Sequence, residues 1–267
     1  RWIGCRPSKP YFVHTDAVFH TFFHNTFRSK DFLTSDLERI WREERDFLEG
    51  AAAVFFESEW GLTKAREAYG LQGNHYLPLR NGGVIEPPER DDWDGQSLRL
   101  VSIANCFHQK GGDIILDAFK RLKPLYSDLH WHIIGGRPQG AWKDIEGIHY
   151  EGFLRPDVPE EQLRFRDILS NAFLFVHPSR EDVNPLVLIE AAYFGCPSIT
   201  VNDFAIPELI INGKTGVLLD RPVTAVKLAD AIVNVIQERS VNSKMRVDAR
   251  ERAIKLFSWN NIGDKMN

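Results

Sequence analysis

Short apolar runs alternate with longer amphipathic stretches along most of this 267-residue chain. The runs at residues 11–14, 52–56, 74–79, 98–104, 129–134, 148–150, 173–176, 197–201 and 216–219 have the length and bulk of strands. Helical spacing fills the gaps between them. Over 36–49, Leu37, Ile40, Trp41, Phe47 and Leu48 share one face of a charged helix. A second helix over 59–69 is stopped by Gly70. Further helices are expected over 112–122, 162–170, 185–194, 206–212 and 225–238, then a long charged one from about 241 to 257. Strands and helices in strict alternation predict parallel sheets in an α/β fold.

Composition shifts once. Residues 81–97, NGGVIEPPERDDWDGQS, have the glycines, prolines and acids of a connecting segment. The expected organisation is an N-terminal unit over 1–84, a linker over 85–97, a second α/β unit over 98–250 and a closing helix over 251–267. With 43% hydrophobic residues the chain can bury a core. Its net charge of −4 carries no basic stripe, which argues against nucleic acid as a partner. Cys5, Cys106 and Cys196 are odd in number and far apart, which points to a reducing compartment. No apolar run is long enough for a bilayer and no signal-peptide pattern follows Arg1, so a cytoplasmic protein is expected.

Most of the candidate chemistry lies in residues 173–197, FLFVHPSREDVNPLVLIEAAYFGCP. An apolar strand runs into a polar loop, and a helix opens on Asn184-Pro185 with Asn184 as its N-cap. The N–H groups of Leu186 and Val187 then face the loop, where a phosphate can sit. Asp182 hangs over that spot, and Glu190 follows it by eight residues. Glu190 could accept two hydroxyl hydrogen bonds from a ribose diol. The plainer alternative is that Asp182 caps the helix and Glu190 pairs with a basic neighbour. A second feature is FHQKGGD at 107–113, where Gly111 and Gly112 let a ligand approach and Lys110 offers a cation. It lacks the spacing of a P-loop, and taken alone a glycine-rich turn with a solvated lysine is the better reading. A third, FAIPELIINGKTG at 204–216 with Glu208, reads as a connection.

Other patterns are weaker. GGRPQG at 135–140 has the wrong glycine spacing for a dinucleotide fingerprint. Asp92-Trp93-Asp94 sits in the linker as an acidic loop. His20 and His24 are four apart but lack the companions of a zinc site. No serine or cysteine occupies a nucleophile elbow.

KGGDIILDAF, IIGG, YEGFL, FVHPSREDVNPLVLIEAAYFGCPSITV and IPELIINGKTGVLL occur in that order. Together they resemble the C-terminal half of retaining nucleotide-sugar glycosyltransferases of GT-B architecture, family four, also called group 1. The resemblance covers residue 98 to the end. FFESEWGLTKAREAYGL and LPLRNGG are similar to the last elements of the N-terminal domain of such enzymes, and KPYFVHTDAVF to an earlier strand. It implies a Rossmann-like donor-binding domain preceded by an incomplete Rossmann-like acceptor-side domain. The implied reaction is sugar transfer from a UDP- or GDP-sugar with retention, using no metal and no other cofactor. The implied acceptor is a glycan, a lipid-linked molecule or a small molecule, as in cell-surface polysaccharide synthesis. Peripheral membrane association through a preceding segment, at the inner face of the membrane, is compatible with it.

The resemblance also distributes roles. Glu190 matches the second glutamate of the family's E-x7-E pair, which binds the ribose hydroxyls. Asp182 falls at the first position, usually a glutamate directed at the donor sugar, with Glu181 as the adjacent alternative. Lys110 matches the lysine expected on the donor diphosphate, beside Gly111. Asn105 stands where a partner arginine is usual, so Arg180 and Lys214 become candidates to assist. Gly152, Phe153 and Leu154 match the loop that holds the base. Asp16, with His14 as its neighbour, falls near a catalytic-site histidine of the N-terminal domain. Two other readings share the architecture, a non-hydrolysing nucleotide-sugar epimerase and a non-catalytic nucleotide-sugar-binding protein.

Overall fold

The computed structural model describes residue 4 and residues 7–25, 32–91, 93–138 and 142–266. Cys5, Asp92 and, in the glycine-rich stretch, Gln139 and Gly140 lie outside the described residues. Two compact units result, Arg1–Asn81 and Gly82–Asn267.

The first unit runs β1 (Phe12–Thr15), α1 (Phe19–Asn25), α2 (Thr34–Glu49), β2 (Ala53–Phe56), α3 (Glu59–Tyr69) and β3 (Tyr76–Pro78). Its three strands are parallel, in the order β1-β2-β3. Val54, Phe56 and Tyr76 point from the sheet into a core with Leu48, Leu62 and Ala65 from α2 and α3. Two local signals set the limits of α3, of which the Gly70 stop was expected from the sequence. The Ser58 hydroxyl caps it by accepting from Gly61 N–H at 2.9 Å, and Gly70 ends it at φ +66°. The seven-residue helix α1 was not foreseen; its FHTFFHN sequence is too short to show a period, and Phe19 and Phe23 pack around Phe32.

Glu44 on α2 is 5% exposed and accepts from the Phe19 N–H at 2.8 Å and from the Tyr69 hydroxyl. Burial pushes its carboxyl up to about 7, against hydrogen bonds that pull it down. The native state therefore holds a proton that the unfolded chain has already lost. Stability of this unit should fall as the pH rises from about 4.5 to about 7. Glu44→Gln should flatten that slope in thermal melts across this range, and an unchanged slope would assign it to another group.

The second unit is a doubly wound sheet. Its elements are β4 (Leu98–Ala104), α4 (Gly112–Leu122), β5 (Leu129–Gly135), β6 (Ile148–Gly152), α5 (Pro159–Ser170), β7 (Leu174–His177), α6 (Leu186–Tyr193), β8 (Ser198–Val201), α7 (Ile206–Leu209), β9 (Gly216–Leu219), α8 (Ala225–Gln237), α9 (Arg239–Phe257) and α10 (Trp259–Met266). All six strands are parallel, in the order β6-β5-β4-β7-β8-β9. The period of two divides the core. Leu100, Trp131, Leu174 and Ile199 face α4 and α8, whereas Val101, Ile134, Phe175 and Val201 face α5, α6 and α9. The chain reverses direction across the sheet between β4 and β7. In such sheets ligands bind outside the carboxyl ends of the strands at that switch point.

Several boundaries differ from expectation for local reasons. Helix α5 starts at Pro159, because proline suits a first turn and Glu160 and Glu161 favour it electrostatically. Helix α7 is only four residues long, since Ile210 returns to extended geometry and the Thr215 hydroxyl accepts from Ile211 N–H at 2.8 Å. Ser258, also extended, breaks the last helix and starts α10. The linker expected over 85–97 falls within the Gly82–Asn267 unit. Asp91 and Arg246 form a bidentate pair at 2.6 and 2.8 Å, and Arg166 donates to Glu86 O at 2.9 Å. No described helix is long and apolar enough to cross a membrane.

Candidate functional site

At the switch point, the loop after β4 carries Lys110 and the loop after β7 carries Asp182. Lys110 Nζ lies 2.7 Å from Asp182 Oδ2 and donates to Glu181 O at 3.0 Å. His177 Nε2 lies 2.9 Å from the same Oδ2. Burial disfavours the Asp182 carboxylate, but the His177 hydrogen bond and the charge of Lys110 outweigh it and hold its pKa below the usual range. Asp182 is therefore ionised at neutral pH. Its role as a helix cap is not observed, because no side chain caps α6.

The two loops are stapled together. Arg180 forks onto Asp113 with two 2.7 Å bonds, and its N–H donates to Gln109 O at 2.9 Å. Arg180 is thus already committed to a carboxylate. Gly111 sits at φ +77°, where a Cβ would lie 2.3 Å from Pro178 O. Only glycine allows this approach, which brings the Lys110 loop against the loop of Asp182.

Helix α6 opens one residue later than expected. Pro185, extended at φ −72° and ψ 107°, takes the N-cap position in place of Asn184. Proline has no N–H to satisfy, and its carbonyl accepts from Leu188 N–H at 3.1 Å. The N–H groups of Leu186 and Val187 still occupy the first turn, where no intrahelical partner exists.

Glu190, in the second turn of α6, is 6% exposed. Burial pushes its pKa up, and one backbone bond, from Val84 N–H at 3.0 Å, partly offsets this. Among the described residues no basic side chain pairs with it, so the ion pair considered from sequence is not seen there. The backbone that meets it is tightly placed. Gly83 N–H donates to the Tyr193 hydroxyl at 3.1 Å, that hydroxyl donates to Phe257 O at 2.6 Å, and Trp259 Nε1 donates to Gly83 O at 2.9 Å. A Cβ on Gly83 would lie 2.7 Å from the Tyr193 ring and 3.0 Å from Glu190 Cγ.

Glu190 borders a cleft of about 330 Å³, together with Val84, Ile85, Asn105, Leu154, Pro156, Gln162 and Phe165. A mostly apolar wall with a few polar groups suits a small organic ligand. Asn105 lies five residues before Lys110, so the cleft wall and the Lys110 loop share one segment. Gly152 ends β6 at φ +72°, Leu154 lines the cleft, and Phe153 is 61% exposed. Lys214 does not join this site. It precedes β9, at the opposite edge of the parallel sheet, beside Asp248 and Glu251 of α9. In the first unit, Asp16 follows β1 and its carboxylate accepts from Ala17 N–H at 2.9 Å, while His14 lies 3.8 Å from Glu57. Among the described residues no group of three or more histidine, cysteine, aspartate or glutamate side chains is arranged to hold a metal ion. His177 and Val84 were missed from sequence. The position of His177 at the carboxyl end of a strand was the available clue; Val84 acts through its backbone and left none.

Residues 86–256, well over half of the chain, match the family glycosyl transferases group 1. The D-inositol 3-phosphate glycosyltransferase of Corynebacterium diphtheriae is 28% identical over 168 residues, covering 59% of this chain and 38% of that protein. The glycogen synthase of Mycobacterium tuberculosis is 33% identical over 166 residues, covering 61% of this chain and 40% of that protein. The chain thus matches about two fifths of the length of these relatives. Among solved structures, Anabaena HepE in complex with UDP-glucose aligns with a TM-score of 0.72 at 17% identity, over 97% of this chain and 71% of that one. The α/β fold expected from the sequence is therefore the one found, and its structural neighbours are GT-B glycosyltransferases. On the match across its second unit, the chain belongs to the group 1 family of glycosyl transferases.

Proposed function

We propose that this protein binds a nucleoside diphosphate sugar at the switch point of its second unit and transfers the sugar with retention at the anomeric carbon. The observation that carries this reading is Glu190: a buried carboxylate on the wall of a ligand-sized cleft, held among the described residues by one backbone N–H and no cation. A buried carboxylate needs more hydrogen bonds than that. The vicinal hydroxyls of a ribose supply two. With the ribose there, the base lies along Leu154 and Ile85, and the diphosphate reaches Lys110 and the first turn of α6. UDP is the favoured carrier, because solved neighbours of this fold hold UDP or UDP-glucose.

The chemistry follows from charge. The anomeric C–O bond breaks with its electron pair passing to the diphosphate, and the acceptor hydroxyl forms the new bond on the same face while its proton passes to the departing diphosphate oxygen. Lys110 and the α6 N-terminus stabilise the leaving diphosphate without a metal ion, and one such contact is worth about 2.7–4 kcal/mol of barrier. Asp182 presents a carboxylate towards the donor sugar, and Asp16 serves the acceptor side. The whole enzyme's acceptor is a glycan, a lipid-linked molecule or a small molecule.

Lys110→Met tests the reading. UDP release from UDP-glucose, or GDP release from GDP-mannose, should fall by about two to three orders of magnitude. Affinity for the free nucleotide should fall about ten- to a hundredfold and lose part of its salt dependence. Turnover unaffected by this substitution would remove Lys110 from the diphosphate site.

A further inference from the structure

His177 is a buried titratable group with no role in the chemistry above. It ends β7, is 2% exposed, and stacks on Phe175 with 6.0 Å between ring centroids and 19° between planes. Its carbonyl accepts from the Thr200 hydroxyl at 2.8 Å, which ties the residue to β8. The imidazole is thus fixed by a central strand and by packing. Its Nε2 lies 2.9 Å from Asp182 Oδ2. An ionised carboxylate offers only acceptors, so Nε2 carries the hydrogen.

Lys110 Nζ shares that same Oδ2, at 2.7 Å. Among the described residues, the charged and titratable groups that act on Asp182 are these two, His177 from β7 and Lys110 from the β4–α4 loop. Asp182 Oδ1 has no hydrogen-bond partner among the described residues. The two donors differ in kind. The lysine ends a flexible stem and is drawn away when a diphosphate arrives, whereas the imidazole cannot follow.

We propose that His177 is a positioning residue: its Nε2–H anchors Oδ2 of Asp182 so that Oδ1 remains presented to a hydroxyl of the donor sugar after Lys110 turns to the diphosphate. This inference rests on the donor-binding reading above. It assigns His177 an effect on the sugar and not on the nucleotide.

The test is calorimetric titration of the wild type, His177→Leu, His177→Asn and His177→Gln with UDP, UDP-glucose, GDP and GDP-mannose. Leucine removes the donor. Asparagine ends where Nδ1 sits and stops short of Asp182, which repeats the deletion with a polar side chain. Glutamine places an amide N–H near the Nε2 position. The expected result is that leucine and asparagine weaken the nucleotide-sugar about tenfold or more, change the free nucleotide less than about threefold, and that glutamine restores most of the loss. Without the His177 donor the Asp182 carboxyl protonates at higher pH, so the selective loss should grow as the pH is lowered. Equal weakening of nucleotide and nucleotide-sugar, or no change in either, overturns the proposal. If the wild type binds and Glu190→Gln loses that binding while the His177 variants show no selectivity, the donor reading stands and only this inference fails. A wild type that binds none of the four ligands defeats both.

Discussion

Glu190→Ala is expected to abolish detectable nucleoside diphosphate binding while the protein keeps its fold. The two ribose hydroxyls would each donate to an ionised carboxylate, and such bonds are worth about 1.5–3 kcal/mol each. Losing both lowers affinity by about two to four orders of magnitude. The stability consequence is small because two effects oppose. The Val84 N–H, 3.0 Å from Glu190 Oε1, loses its acceptor, but a buried carboxylate with no cation beside it among the described residues is removed. Affinity in the wild type should also fall with decreasing pH, since burial raises the pKa of Glu190 and only the ionised form accepts from both hydroxyls. Calorimetry with UDP, paired with a thermal melt, reads both quantities. A folded alanine variant that still binds would show that Glu190 is not the ribose ligand.

Arg246→Ala should produce the largest loss of stability. Arg246 is 2% exposed, forks onto Asp91, donates to Ala172 O at 2.7 Å and to Phe194 O at 3.1 Å, and lies 4.6 Å over the Trp93 ring. One guanidinium thus joins α9, Asp91 and Trp93, the segment before β7 and the end of α6. Its removal leaves Asp91 and two buried carbonyls without their partner, which costs about 3–5 kcal/mol. For a unit of this size that is a fall of about 6–20 °C in melting temperature. Arg246→Lys should recover little, because an ammonium cannot reproduce the fork. A melt within about 2 °C of wild type would show that the pair is dispensable.

The contrast between these two residues separates what sequence reveals from what it hides. Strand and helix order was legible because apolar period and bulk are local properties, and the parallel second sheet followed from their alternation. Lys110, Asp182 and Glu190 stood out as candidates because each sits just past a strand or inside the helix that follows one. Their arrangement was not. That Asp182 bonds Lys110 and His177 together, and that Arg180 is taken by Asp113, depends on two loops meeting across the switch point. Arg246 lies 155 residues from Asp91, and in a helix of mixed charge nothing in its own neighbourhood distinguishes it. The Val84 N–H is invisible in principle, since backbone contacts carry no side-chain signature. Asn184 was misplaced by one residue for a related reason: proline was accommodated at the N-cap itself.

The account stands on a donor site at the carboxyl edge of the second sheet, and titration of the wild type with UDP tests it most directly. Saturable one-to-one binding is predicted, displaced by UDP-glucose or another UDP-sugar, lost in Glu190→Ala and weakened in Lys110→Met. No heat of binding from UDP or GDP at millimolar concentration, with the protein shown to be folded, would contradict it.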